Sequence, residues 1–134
     1  MLTDEHRETL IKMAVEARKW AYAPYSNYPV GAALLTTSGR IYDGVNIENA
    51  AYPTTICAER VAVFKAVSEG ERDFQAIAVV TENGGSPCGS CRQVLAEFGL
   101  QITVIIANTA GDLIQEIVLA ALLPQAFTPK DLKD

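Results

Sequence analysis

The chain has one histidine, His6, and three cysteines, Cys57, Cys88 and Cys91, among its 134 residues. An odd number of cysteines, two of them as Cys-x-x-Cys, does not make a secreted disulfide frame and fits thiolate chemistry in a reducing compartment. No run of lysines or arginines occurs, and the formal net charge is -5. Chains that hold nucleic acid through its phosphates carry a basic patch, so the balance points away from RNA or DNA and toward a small, free molecule. No apolar stretch approaches the roughly 18 residues needed to span a bilayer. The opening Met-Leu-Thr-Asp-Glu-His is acidic and polar, the opposite of a signal peptide. These absences point to a cytoplasmic protein with neither a membrane nor a nucleic acid as partner. Repeats, low-complexity tracts and linkers are missing too. With 49% hydrophobic and 20% charged residues, the chain reads as one globular domain, 1–134, able to bury a core without disulfides.

What is present alternates between two periodicities. Thr3 or Asp4 caps a first helix to about Tyr22, with Leu10, Ile11, Ala14, Val15 and Ala17 or Arg18 as its apolar stripe. Val30 to Thr36 and Ile41 to Val45 read as a hairpin around Thr37-Ser38-Gly39-Arg40, and Asn46 to Thr55 as irregular chain. A second helix is expected from about Cys57 to Ser68, with Val61, Phe64, Lys65 and Val67 packed or flanking, and a third from about Gly89 to Phe98. Ala76 to Val80 and Ile102 to Ile106 are apolar runs of the kind buried on both faces of a sheet. Leu113 to Val118 reads as one more strand, and the tail carries no strong pattern. This order implies an α/β fold, a three-layer α/β/α sandwich around a mixed sheet of about five strands.

Both cysteine clusters fall at expected helix starts, where unpaired N–H groups and the positive dipole end favour thiolate over thiol. Cys88 and Cys91 share a face of one helical turn and can hold a metal, although the same spacing serves a dithiol redox pair. Cys57, at an equivalent helix start, has no role in a simple dithiol exchanger and tips the reading to zinc. Three thiolates are an incomplete shell, and a catalytic zinc keeps one position open for water. His6, on a polar helix face, reads as solvated and not as a fourth ligand. Glu59 would point about 200° away from Cys57 in mid-helix, so both serve one pocket only if that pocket lies off the helix end with Cys57 near the cap. Placed there, its carboxylate is the proton shuttle beside a metal-bound water; otherwise it is an ordinary first-turn acid. Three thiolates on one Zn²⁺ leave a net negative site, which Arg60 and Arg92 are placed to offset by charge-assisted hydrogen bonds to sulfur.

Pro-Cys-x-x-Cys with a Cys₃ zinc shell and a non-ligand glutamate is a described signature of zinc deaminases. Several stretches together resemble the small, Cys₃-zinc, homotetrameric cytidine deaminases: Tyr22-Ala23-Pro24-Tyr25-Ser26, Val30 to Leu34, Gly44 to Ala50, Cys57-Ala58-Glu59-Arg60 and Ser86 to Gln93. The resemblance runs from about Ala21 to Thr128. It implies one zinc held by Cys57, Cys88 and Cys91, with Glu59 moving protons between water, the pyrimidine ring and departing ammonia. It implies that Asn46 and Glu48 bind the sugar 3′-hydroxyl, that the Ala58 backbone contacts the base, and that Tyr28 stacks on it. The family usually has phenylalanine there, so the Tyr28 hydroxyl needs a partner or water. Phe127 matches an aromatic that enters a neighbouring subunit's site, which implies a homotetramer with shared sites. The implied reaction is hydrolysis of cytidine and 2′-deoxycytidine to the uridines and ammonia, as in pyrimidine salvage.

Three other readings compete. A blasticidin-type nucleoside antibiotic deaminase is also small with three cysteines, but it lacks the Asn46-Ile47-Glu48-Asn49 pattern. A tRNA or nucleobase deaminase more often has histidine at the position of Cys57. A non-enzymatic zinc or redox module would keep its function without Glu59.

Overall fold

The structure is a computed structural model that describes residues 2–132. Helix α1, Asp4–Ala17, begins at Thr3, whose side chain accepts from the His6 N–H at 3.1 Å. His6 returns the contact, its Nδ1 accepting from the Thr3 N–H at 3.4 Å. The histidine expected to be merely solvated is thus the second half of a capping box. The helix was expected to reach Tyr22 but ends at Ala17, followed by a 3₁₀ turn at Arg18–Trp20. The cause is downstream: Tyr22 donates to the Asn46 carbonyl at 2.9 Å and accepts from the Glu48 N–H at 2.8 Å, which pulls the chain into an extended form.

Strands β1 (Gly31–Thr36) and β2 (Ile41–Val45) form the expected hairpin. Helix α2 (Ala58–Ser68) leads to β3 (Phe74–Thr81), helix α3 (Gly89–Ala96) to β4 (Thr103–Asn108), and β5 (Leu113–Val118) to a short helix α4 (Leu119–Leu122). The sheet order is β2-β1-β3-β4-β5, with β3 and β4 parallel and every other neighbouring pair antiparallel. Strand alternation distributes the core between two layers. Ala33, Leu35, Ala76, Ala78, Val80, Ile105 and Ala107 face α1 through Leu10, Ile11 and Ala14. Ala32, Leu34, Ile77, Val104 and Ile106 face α2 and α3 through Ala62, Val63, Ala66 and Leu95. This is the α/β/α sandwich anticipated from the order of periodicities.

Two packing expectations are corrected. In α2 the buried face is Ala58, Glu59, Ala62, Val63 and Ala66, while Phe64 and Lys65 are exposed. Small residues are needed on that face because β2 runs close beneath it. A Cβ on Gly44 would lie 2.4 Å from the Ala58 carbonyl oxygen and 2.6 Å from the Ala62 nitrogen. Helix α3 stops at Ala96 and not at Phe98, its last bonds tightening to Glu97 N–H to Val94 and Phe98 N–H to Leu95. That turn delivers the Phe98 ring to Phe74, 5.0 Å away between centroids. Among the described residues no helix is long and apolar enough to cross a membrane.

Candidate active site

Helices α2 and α3 both start beside the end of β3, and each has a cysteine as its N-cap. Cys57 takes extended dihedrals (φ -80°, ψ 153°) and its carbonyl accepts the Val61 N–H; Cys88 does the same (φ -68°, ψ 169°) toward Arg92. This is the geometry in which Cys57 and Glu59 can share a pocket, because an N-cap residue departs from the helical rotation. The Cys57 and Cys88 sulfurs are 3.9 Å apart, those of Cys88 and Cys91 are 3.4 Å apart, and all three lie within 4.8 Å of one another. A tetrahedral zinc with bonds of ~2.3 Å sets its sulfurs at about 3.8 Å. The donor set therefore fits one zinc with a fourth position left over, and His6 is not part of the cluster.

Cys57 and Cys91 are shifted in opposite directions. Hydrogen bonding from Cys91, and then from Arg60 and Cys88, draws the Cys57 thiol down to about 5 against the cost of its burial. The Cys91 thiol is pushed up by its bond to Cys57, by burial and by the nearby Glu59 charge. Arg60 donates through Nη2 to Cys57 Sγ at 3.2 Å, and its buried Nε has no partner among the described residues. Arg92 was expected to donate to sulfur as well and does not. Its guanidinium donates to the carbonyls of Pro87 (2.9 Å) and Leu122 (2.8 Å) and to Ser86 Oγ (2.9 Å). The residue after Cys91 points back along the approach to Cys88, so it braces the loop that presents that ligand.

Glu59 is 4% exposed. Burial, reinforced by the neighbouring Cys57 charge, raises its carboxyl to about 6. It lines a cleft of ≈ 290 Å³ together with Tyr28, Asn46, Glu48, Cys57, Ala58, Cys88 and others. That volume sits at the lower end of small-molecule pockets, about 300–1,000 Å³, and suits a compact ligand. Tyr28, Asn46, Glu48, Cys57, Ala58, Glu59 and Cys88 therefore converge on one cavity, while Cys91, Arg60 and Arg92 lie outside its lining. Phe127 also lies outside it: the residue is exposed, and its carbonyl accepts from Gln93 Nε2 at 2.8 Å.

Part of the cleft's lining is tied together by hydrogen bonds. Asn46 accepts from the Val30 N–H (2.9 Å) and donates to the Tyr28 carbonyl (3.0 Å), which among the described residues leaves one amide hydrogen and one lone pair free. Glu48 accepts from the Tyr25 and Ser26 N–H groups (2.9 and 3.0 Å) and from the Ser26 hydroxyl. Ser26 chiefly, through its hydroxyl, holds the Glu48 carboxyl below the ordinary range. Sequence reasoning missed Ser26, Thr81, Asn83, Gly85 and Ser86. The one usable signal was the Tyr28 hydroxyl, which had to have a partner or water; it donates to Asn83 Oδ1 at 2.7 Å.

A family model described as "Cytidine and deoxycytidylate deaminase zinc-binding region" matches residues 4–107. The chain belongs to this family. It is 56% identical over 128 residues to the cytidine deaminase of Sporosarcina psychrophila, covering 93% of each chain. It is 55% identical over 131 residues to that of Halalkalibacterium halodurans, covering 96% of this chain and 98% of the relative. The crystal structure of cytidine deaminase from Burkholderia pseudomallei superposes with a TM-score of 0.85 at 46% identity, over 94% of this chain and 100% of the other. The family is thus one of zinc-binding deaminases, and this chain has a cysteine cluster able to hold a metal.

Proposed function

We propose that the protein hydrolyses the exocyclic amine of cytidine and 2′-deoxycytidine, giving the uridine and ammonia. The observation that carries this reading is that a buried carboxylate, Glu59, and two sulfurs of the three-cysteine cluster, those of Cys57 and Cys88, line one cleft with Asn46 and Glu48. Cys57, Cys88 and Cys91 would hold one zinc, which when bound supplies a Lewis acid that makes water a nucleophile near neutral pH.

The rest of the chemistry belongs to the chain. Glu59 takes a proton from water, delivers it to N3 of the pyrimidine, and passes a further proton to the departing ammonia. Its burial against the floor of α2 keeps bulk water from competing for those transfers. Arg60 offsets the excess negative charge at Cys57. Tyr28 stacks on the ring, and N–H groups at the start of α2, free of helical partners at Ala58, face the base. The free valences of Asn46 and the carboxylate of Glu48 read the sugar 3′-hydroxyl. Because neither contact involves the 2′ position, ribo- and deoxyribonucleosides are both accepted.

Phe127, exposed on its own chain, completes a neighbour's cleft in a homotetramer. The exposed Leu113, Ile114 and Val118 of edge strand β5 and the exposed aromatics Trp20, Tyr22 and Tyr52 support an assembled state. The test is ammonia release from cytidine by purified protein, with zinc determined on the same sample. Turnover with about one zinc per chain supports the reading. Zinc without turnover shifts the substrate to other aminated nucleosides, and the absence of both contradicts it.

A further inference from the structure

Tyr28 forms one wall of the cleft and is held at three points. Its N–H donates to Ser26 Oγ at 3.1 Å, its carbonyl accepts from Asn46 Nδ2 at 3.0 Å, and its hydroxyl donates to Asn83 Oδ1 at 2.7 Å. The first two contacts tie the ring to the residues assigned to the sugar. The third joins the ring to the loop 82–88 between β3 and α3, which leads into Cys88.

Asn83 does not stand alone in that loop. The same Oδ1 accepts from Thr81 Oγ1 at 3.2 Å, and Thr81 Oγ1 accepts from the Gly85 N–H at 2.7 Å. Two donors fill the lone pairs of the Asn83 carbonyl, and Thr81 is only 3% exposed, so its hydroxyl depends on this network. The loop is closed against the phenol by contact as well. A Cβ at Gly85 would lie 2.6 Å from the Tyr28 hydroxyl oxygen, with Thr81 Oγ1 and Asn83 Oδ1 next at 3.6 and 3.7 Å. The obstacle is the hydroxyl; the ring carbon that bears it is farther than those atoms.

We propose that Asn83 is a positioning residue for nucleoside binding: its carbonyl clasps Tyr28 to the 82–88 loop and fixes the width of the cleft against the pyrimidine. This rests on the proposed function. It predicts an effect on binding more than on metal retention, because Cys88 is held independently through the Arg92 contacts to Pro87 and Ser86.

The experiment compares the unmodified protein with Asn83→Ala, Tyr28→Phe, their double variant, Gly85→Ala and Tyr28→Phe/Gly85→Ala, measuring KM and kcat on cytidine and zinc content. Loss of one hydrogen bond predicts that Asn83→Ala and Tyr28→Phe each raise KM about three- to tenfold, with zinc and kcat largely retained. The double variant should be no worse than the more affected single variant, since both break the same bond. Gly85→Ala should also raise KM, and adding Tyr28→Phe should return it to the level of Tyr28→Phe alone. Singles that multiply in the double, a Gly85→Ala defect that Tyr28→Phe does not relieve, or losses of kcat and zinc at constant KM would each overturn the clasp. An unmodified protein without cytidine turnover overturns the proposed function and this role together. Turnover with a flat KM across the series overturns this role alone.

Discussion

Arg60 and Cys57 form a charge-assisted pair, Nη2 to Sγ at 3.2 Å, within the first turn of α2. The three-residue spacing lets the guanidinium fold back over the N-cap sulfur and favour its thiolate. It also raises the Arg60 pKa through the Cys57 hydrogen bond, so the cation is secure throughout the working range.

Removing that donor should weaken the metal site without dismantling the helix. Arg60→Gln is expected to lower zinc affinity or activity about 10- to 100-fold, and Arg60→Lys to fall between, keeping charge but losing the fork. Competition with a chelator of known affinity checks the order; equal affinities in all three proteins would remove Arg60 from the site.

Glu48 provides a pH test away from the cysteines. Its folded-state pKa is depressed, chiefly by the Ser26 hydroxyl, so its charged form persists below the ordinary 4.5. The associated stability is present above that unfolded value and is lost as pH falls through the lower folded value. Ser26→Ala should move the acid rise in KM for cytidine upward, toward pH 4.5. KM-against-pH curves for the two proteins check this. Coincident acid limbs would mean that Ser26 does not tune the carboxylate.

Much of this site was legible before the fold was known, because its logic is local. Cys57 and Cys88 are N-caps for reasons visible in the helix starts, and the Glu59 paradox had one geometric solution, which the structure adopts. The β1–β2 hairpin was equally plain, its turn residues lying between two apolar runs. What stayed hidden depends on partners distant in sequence. One of the three Arg92 partners is the Leu122 carbonyl, 30 residues on, at the end of α4 in the tail that looked patternless. Asn83 lies 55 residues from Tyr28, and nothing in its own segment points to that pairing. Phe64 read as packed or flanking and is exposed, because Gly44 and the small face of α2 bring helix and sheet together through Ala58 and Ala62.

That close approach carries its own prediction. A methyl at Gly44 meets backbone atoms of Ala58 and Ala62, which cannot rotate away. Gly44→Ala should destabilise the fold by about 1–3 kcal/mol and, by lifting the start of α2, lower zinc content as well. Urea unfolding and metal analysis on one preparation check both; an unchanged midpoint would mean that α2 has room to shift.

Shared sites can be tested by mixing chains. Glu59→Ala and Phe127→Ala proteins should each be poorly active alone. Co-assembled, they should regain turnover, because a Phe127→Ala cleft can take its aromatic from a Glu59→Ala neighbour. No recovery in verified mixed assemblies would confine Phe127 to its own subunit or to none.

The most direct measurement of the central claim is zinc content and cytidine turnover in Glu59→Gln beside the unmodified protein. Glutamine keeps the shape of a buried side chain and removes its capacity to carry a proton. The account predicts about one zinc per chain in both proteins and a loss of turnover of about 10²- to 10⁴-fold in the variant. Turnover retained within a few-fold, with zinc in place, would contradict it.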